Sequence, residues 1–329
     1  MAPTPISDAT APTNLREATS PLGNRVVQTA ASTAAGSVLV VLGLVGVFLV
    51  ALAWPAISAS LGIGAYGETG LELRAMGSPE KVSLGWFTLT QLFGTAIAAL
   101  ISLSLALPLA IGVGVALTQY LPRQLAKTLG YLVELLAAVP SVIFGLWGAL
   151  VLLPLMQPLQ AGLGQYLGFL PFFAGPVSAT GRTLFAASVI LAIMILPIIT
   201  SIVREIMDAT PSELIEAALG LGATKWEVTR LVVLPHARSG IASAAMLGLG
   251  RALGETMAVV MVLSVGSSLS LSVLQSGKHS TIAANIALQF PESTGLETSA
   301  LVATGLALFT ITLGVNALAR LIVARQVKG

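Results

Sequence analysis

The chain has 329 residues, of which 55% are hydrophobic and only 9% charged. A soluble domain carries about 25% charged residues, so the charges present are too few to coat a water-facing globule and the solvent is lipid. The net charge of +2 gives no basic surface for nucleic acid, and the absence of cysteine excludes disulfides and thiolate metal sites.

Residues 1–24 are rich in Pro, Thr, Ala and Ser and hold few large apolar residues. They cannot bury a core, and a disordered cytoplasmic tail is assigned to residues 1–33. The apolar run that follows ends in Ala51-Leu52-Ala53, which mimics a signal-peptidase site. The long tail before it, with Asp8 and Glu17, and the length of the run assign it instead to a retained membrane helix. A spanning helix needs about 20 mainly apolar residues. Six stretches qualify: 34–56, 88–118, 130–155, 183–203, 240–264 and 299–323. Pro108, Pro140 and Pro197 fall inside them, and neighbouring helices can satisfy the carbonyls they free.

Between the spans, residues 57–87 form a polar loop with Glu68, Glu72 and Glu80. Residues 156–181 carry no charge and include Pro171, Phe172 and Phe173, the pattern of a short interfacial or re-entrant segment. Residues 281–290, TIAANIALQF, are apolar at helical spacing and too short to span; they make either an outer gate helix or an interfacial one. Eleven of the Lys and Arg residues fall on the side of the N-terminus and four on the other, with Arg251 inside a span. Positive charge stays inside, so both termini and the loop at 204–239 are cytoplasmic.

That loop carries the sequence EAALGLGATKWEVTRLVVLP at residues 216–235. Thr210 as N-cap, with Glu213 three residues on, starts one helix. Gly220 and Gly222 end it, and residues 224–234 form a second helix stopped by Pro235. Two short helices around a glycine turn make a compact knob with a fixed surface. Glu216, Ala217, Ala218, Gly222, Leu234 and Pro235 are its candidate docking residues, the two alanines being small enough for close approach by another protein. The alternative is a helical hairpin that only caps the bundle.

The fifth span contains GRALGETMA at residues 250–258. A charge in mid-membrane costs about 2.5–3.5 kcal/mol on insertion scales, so Arg251 faces protein or water. Positions i and i+4 share a helix face, so Arg251 and Glu255 either pair with each other as a structural unit or act together on a ligand. A guanidinium binds an oxyanion through two parallel hydrogen bonds. A nearby carboxylate accepts the proton of hydrogen phosphate and repels sulfate, which carries none at neutral pH. Thr256 adjoins this pair. The proline before Ser141 either exposes backbone groups to the same path or serves packing. Glu134 is either an interfacial residue with a local partner or part of that path. Gly248, Gly250 and Gly254 are small enough for close helix approach, Gly250 and Gly254 at small-x3-small spacing.

No G-x4-G-K-[ST] loop, zinc-protease motif or nucleophile elbow is present. Gly277-Lys278 lacks the earlier glycine. His236 and His279 are isolated and read as surface residues. The chain itself neither hydrolyses ATP nor carries out chemistry.

The spacing E-A-A-x3-G-x9-V-x-L-P resembles the EAA loop of ABC-importer permeases, with Val232 where that family has Ile. GRALGETMAV after such a loop resembles the PstC-type permease of phosphate ABC importers. ELLAAVPSVIFGLWG at 134–148, Gly94-Thr95, PLAIG at 108–112, Tyr120-Leu-Pro122 and TIAANIA at 281–287 are similar to the same family. The resemblance covers residues 88–323. It implies an all-α integral membrane protein of six transmembrane helices with the type I ABC-importer (MetI-like) fold, its permease domain at 34–325 in a bacterial inner membrane. It implies a heterodimer with a PstA-type permease, two ATPase subunits that bind ATP and Mg, and an extracytoplasmic phosphate-binding protein. Arg251, Glu255, Ser141 and Thr256 then line the substrate path. Competing readings are a permease for sulfate, molybdate or phosphonate, a phosphate-sensing scaffold for a membrane kinase, and an ion-driven secondary transporter.

Overall fold

In a computed structural model of the chain, residues 21–62, 73–74 and 81–327 are described. Twelve α-helices occur in these segments, joined by three π-helical turns and one two-residue ribbon, β1 (Leu73–Arg74) paired antiparallel to β2 (Lys81–Val82). Six helical stretches are long and apolar enough to cross a membrane: Arg25–Ser60, Leu84–Tyr120, Ser141–Leu167, Leu184–Asp208, Lys225–Leu253 and Leu296–Ala317. The acidic residues expected in the first loop, Glu68, Glu72 and Glu80, and residues 1–20 of the expected tail lie outside the described residues.

Two units compose the chain, residues 1–48 and 49–329. In the first, α1 (Pro21–Ser60) begins inside the stretch assigned to the tail. The hydroxyls of Thr29, Ser32, Thr33 and Ser37 bond back to carbonyls one turn earlier, so these polar residues continue the helix. Residues 38–45 expose apolar side chains all round, as a lipid-facing helix does.

The second unit is built around α6 (Leu184–Asp208), the most buried of the spans. Its Ile190, Leu191, Met194, Ile195, Ile199, Val203 and Met207 recur at helical spacing and are almost fully buried. It packs mainly against α2 (Leu84–Val115) and α9 (Leu234–Leu253). Apolar burial does little between helices in lipid, so close approach of small residues is what holds them. Ala98, Ala99, Ala106 and Ala110 line α2. A methyl group on Gly114 would come within 2.8 Å of Val203, and one on Gly248 within 2.6 Å of Ile199. A methyl group on Gly250 would meet nothing within 4 Å, so it is Gly248, and not the Gly250-x3-Gly254 pair, that brings α9 against its neighbour.

The third and fifth spans differ most from their expected boundaries: the fifth runs Lys225–Leu253 where 240–264 was expected, and so ends just after Arg251. In the third, Pro140 does not lie inside a helix; it separates α3 (Arg123–Ala137) from α4 (Ser141–Trp147). Proline disfavours helical backbone at the preceding residue, here Val139, and the chain breaks there. The span then runs through α4, a π turn at Gly148–Leu152 and α5 (Leu153–Leu167), well into the segment expected as an outer loop. Pro108 and Pro197 do sit within α2 and α6.

Candidate coupling knob and pathway residues

After Asp208 the chain turns into α7 (Ser212–Gly220). Thr210 is not its N-cap: α7 starts one residue later than expected, Pro211 occupies the cap position without a side-chain bond, and the Thr210 hydroxyl is buried without a partner. The other end is closed by a Schellman motif. Gly222 adopts φ +87°, its N–H donates to the Leu219 carbonyl at 2.9 Å, and the Ala223 N–H donates to the Ala218 carbonyl at 3.1 Å. Nothing lies within 4 Å of where a side chain at 222 would start, so backbone conformation, not space, requires glycine. The two alanines divide their roles: Ala217 is exposed, while Ala218 and Ala223 pack on the core. The spacing from Ala218 to Gly222 is thus the spacing of the motif.

Thr224 and Glu227 open α8 (Lys225–Val228) with a capping box: the Thr224 N–H reaches Glu227 Oε2 at 2.7 Å, and the Glu227 N–H reaches Thr224 Oγ1 at 3.3 Å. Pro235 does not stop this helix. A π turn at Thr229–Val233 carries it into α9, with Pro235 in the first turn of α9. The wider turn absorbs the missing proline N–H without ending the helix. Leu234 packs on the core and Pro235 is exposed. Leu214, Leu219, Leu221 and Trp226 all stand exposed on the knob beside Glu216, with Leu221 at 90%.

Arg251 lies in the last turn of α9, which ends at Gly254. Glu255 is therefore off the helix, and the expected shared face of Arg251 and Glu255 does not exist. Arg251 is exposed and, among the described residues, makes no ion pair or hydrogen bond; Glu255 is buried at 8% exposure. Glu255 Oε1 accepts the Ala258 N–H at 3.2 Å, capping α10 (Met257–Val262). Each charge is seated by a helix end instead of by the other charge: the cation at the negative end of α9, the carboxylate at the positive end of α10. Thr256, half-buried, donates its hydroxyl to the Gly254 carbonyl at 3.3 Å.

Ser141 is the first residue of α4. Gly145 lies so close to α10 that a methyl group there would be 2.8 Å from Ala258 Cα, and one on Gly148 would be 3.3 Å from Val262. The two contacts advance together, so α4 and α10 run in the same direction. Ser141 stands one turn before Gly145 on α4, while Gly254, the C-cap of α9, precedes the start of α10.

Glu134, at 51% exposure, has a partner that its sequence position did not suggest: Arg204 Nη1, 3.4 Å away. Arg204 also stands 3.7 Å from Asp208. The short helix α11 (Ile282–Gln289), expected as an outer gate or interfacial helix, is seated on the bundle by one face. Ile282, Ala284 and Asn285 are buried, and α11 packs against α2, α10 and α12 (Leu296–Val327). The Gly94-Thr95 pair explains this seat. A methyl group on Gly94 would be 2.1 Å from the Ser280 carbonyl oxygen, and Thr95 Oγ1 accepts the Ile282 N–H at 3.0 Å. His279 is buried as well, against expectation. Its Nε2–H donates to the Ser270 carbonyl at 2.6 Å, and burial holds its pKa below the usual histidine range. His236 is exposed.

Residues 106–328 match the family described as binding-protein-dependent transport system inner membrane component. The chain is 44% identical over 310 residues to the phosphate transport system permease protein PstC 2 of Mycobacterium tuberculosis, covering 93% of this chain and 94% of that protein. It is 49% identical over 239 residues to the PstC protein of Mycobacterium leprae, covering 71% and 74%. Among solved structures, the inward-facing MetNI methionine ABC transporter matches with a TM-score of 0.56 at 19% identity, covering 74% of this chain and 97% of that one. A bacterial ABC transporter involved in import of the acidic polysaccharide alginate matches at 0.51 and 16%, over 72% and 79%. Those two likenesses concern the fold, which is that of a MetI-like permease. The family match and the length over which the relatives align place the chain among the binding-protein-dependent transport system inner membrane components, as a multi-pass inner membrane protein of the PstC family of permeases.

Proposed function

We propose that the chain is the membrane-spanning subunit of an ATP-driven phosphate importer, forming half of the path and coupling to a separate ATPase through the knob at 204–239. The observation that carries this reading is the knob itself: a helix pair locked by a Schellman motif and a capping box, presenting Glu216, Ala217 and exposed leucines. Apolar side chains grouped beside charges, on a rigid projection, fit a protein partner better than water. α8 and α9 form one uninterrupted helix from Lys225 to Leu253, which links the docking surface to Arg251 mechanically.

Phosphate as substrate is supported by the relatives named for phosphate transport. Arg251 is exposed, carries a fixed charge and spends none of its donors among the described residues, which suits it to bind two phosphate oxygens in parallel. Glu255 fixes the start of α10 and keeps a carboxylate near the break, where it orients or gates the anion. Ser141, at the start of α4, and Thr256, next to Glu255, complete the path. The remaining parts of the machine are a PstA-type permease, two ATPase subunits holding ATP and Mg, and an extracytoplasmic phosphate-binding protein; a sensor kinase is a further partner. The knob and both termini face the cytoplasm.

The test is uptake of radiolabelled phosphate by the reconstituted complex, with and without the ATPase, and in competition with sulfate and molybdate. ATPase-dependent uptake that only phosphate competes for is expected. Uptake that persists without the ATPase contradicts the reading.

A further inference from the structure

The geometry points to Arg204 as a positioning residue that carries motion of the docking knob into α3 and the break before α4. The inference rests on the docking reading above.

α3 meets the bundle along one stripe, Ala126, Gly130, Val133 and Ala137, and packs there mainly on α6. Gly130 is its only buried residue, while Leu125, Leu129, Leu132, Leu135 and Leu136 stand exposed. Gly130 meets Arg204. A methyl group there would lie 1.7 Å from Nη1 and 2.5 Å from Cζ, so the guanidinium occupies the space that any other residue's side chain would need. Glycine inside a helix weakens it relative to alanine, and this contact gives that weakness a use. One turn further along α3, Glu134 meets the same guanidinium at 3.4 Å. Arg204 is thus held between two consecutive turns of α3.

Its other partner is Asp208, the last residue of α6, 3.7 Å away on its own helix. The first helix of the knob, α7, is capped three residues later, at Pro211. A displacement of the knob therefore moves the end of α6, and the guanidinium passes it to α3. α3 ends at Ala137, followed by the Pro140 break, and α4 beyond it presses Gly145 onto Ala258. The second route out of the knob runs up the continuous helix α8–α9 to Gly254, beside the same α4–α10 contact. Both routes lead to the α4–α10 contact, which follows Ser141 in the chain on one side and Arg251 and Glu255 on the other. With Arg204 in place the two breaks move together; without its clasp only the packing stripe is left to move α3, and the two breaks move less closely together.

An exposed ion pair contributes little to stability, so the effect expected is on coupling and not on assembly. Gly130→Ala, Arg204→Gln, Glu134→Gln and the Arg204→Gln/Glu134→Gln double variant are placed in the full importer in vesicles, with its binding protein and ATPase. Phosphate moved and ATP hydrolysed are counted together. The proposal predicts that each single variant keeps its ATPase and hydrolyses ATP while phosphate moved per ATP falls about tenfold. The double variant is no worse than Arg204→Gln alone. Gly130→Ala is the sharpest arm, because it deletes no charge and only evicts the guanidinium. An unchanged ratio in Gly130→Ala and Arg204→Gln, or additive losses in the double variant, overturns the proposal. Loss of the assembled complex in both makes Arg204 a structural residue and overturns it equally. A wild-type complex that holds no ATPase overturns the docking reading, and this one with it.

Discussion

The knob at 204–239 and the break at 250–258 are two helix–turn–helix junctions with glycine at the turn, and they behave in opposite ways. In the knob, the groups freed at the helix ends are satisfied within the junction: Gly222 and Ala223 return to Leu219 and Ala218, and Thr224 exchanges bonds with Glu227. The result is a rigid surface. At the break, α9 ends at Gly254, Thr256 bonds back to the Gly254 carbonyl, Glu255 is drawn in to cap α10, and Arg251 has no partner among the described residues. A junction closed on itself suits docking, and one that leaves a guanidinium unspent suits an anion.

Arg251→Gln gives the largest effect expected. It removes the charge but keeps the length, and loss of a charge-assisted contact worth about 1.5–3 kcal/mol lowers phosphate transport by about ten- to a hundredfold. ATPase binding stays intact, which co-purification checks. Gly222→Val attacks the other junction. A β-branched residue at φ +87° is strained by at least about 1–2 kcal/mol, so the knob re-forms poorly and ATP hydrolysis no longer drives uptake. If Gly222→Val instead behaves like Arg251→Gln, with docking normal and transport lost, the two junctions are not separate in function. Glu255→Gln sharpens the contrast within the break. The amide still accepts the Ala258 N–H, so α10 keeps its cap and transport falls less than in Glu255→Ala; equal losses would make the charge, and not the cap, the main role. Thr224→Ala is the mildest: loss of the cap costs about 1 kcal/mol, read as a lower melting temperature of the complex with transport nearly normal.

The same contrast decides what was legible in the sequence. Six apolar stretches gave the six spans because length and hydropathy act locally. The Gly222 turn was readable because a Schellman motif is written in consecutive residues. The relation between Arg251 and Glu255 was misread because i,i+4 spacing places two residues on one face only where the helix continues, and Gly254 ends it. Pro235 was misread as a stop because a π turn, which leaves no mark in composition, absorbed it. The boundary of the third span moved because Pro140 acted as a break and not as a kink. Arg204 was invisible as a partner of Glu134 because the two stand seventy positions apart. A hint existed in Gly130, one turn before Glu134, a glycine in the middle of an amphipathic helix. The seat of α11 was prefigured by Gly94-Thr95, but only the fold shows that this pair receives Ser280 and Ile282.

The central claim is that one chain holds a docking junction and an anion junction that can be broken separately. The most direct measurement is phosphate uptake and ATP hydrolysis together, in vesicles holding the complete importer, with Arg251→Gln compared with wild type. The account predicts that the Arg251→Gln complex assembles, binds its ATPase and hydrolyses ATP while uptake is lost. Uptake at the wild-type rate in that complex would contradict it.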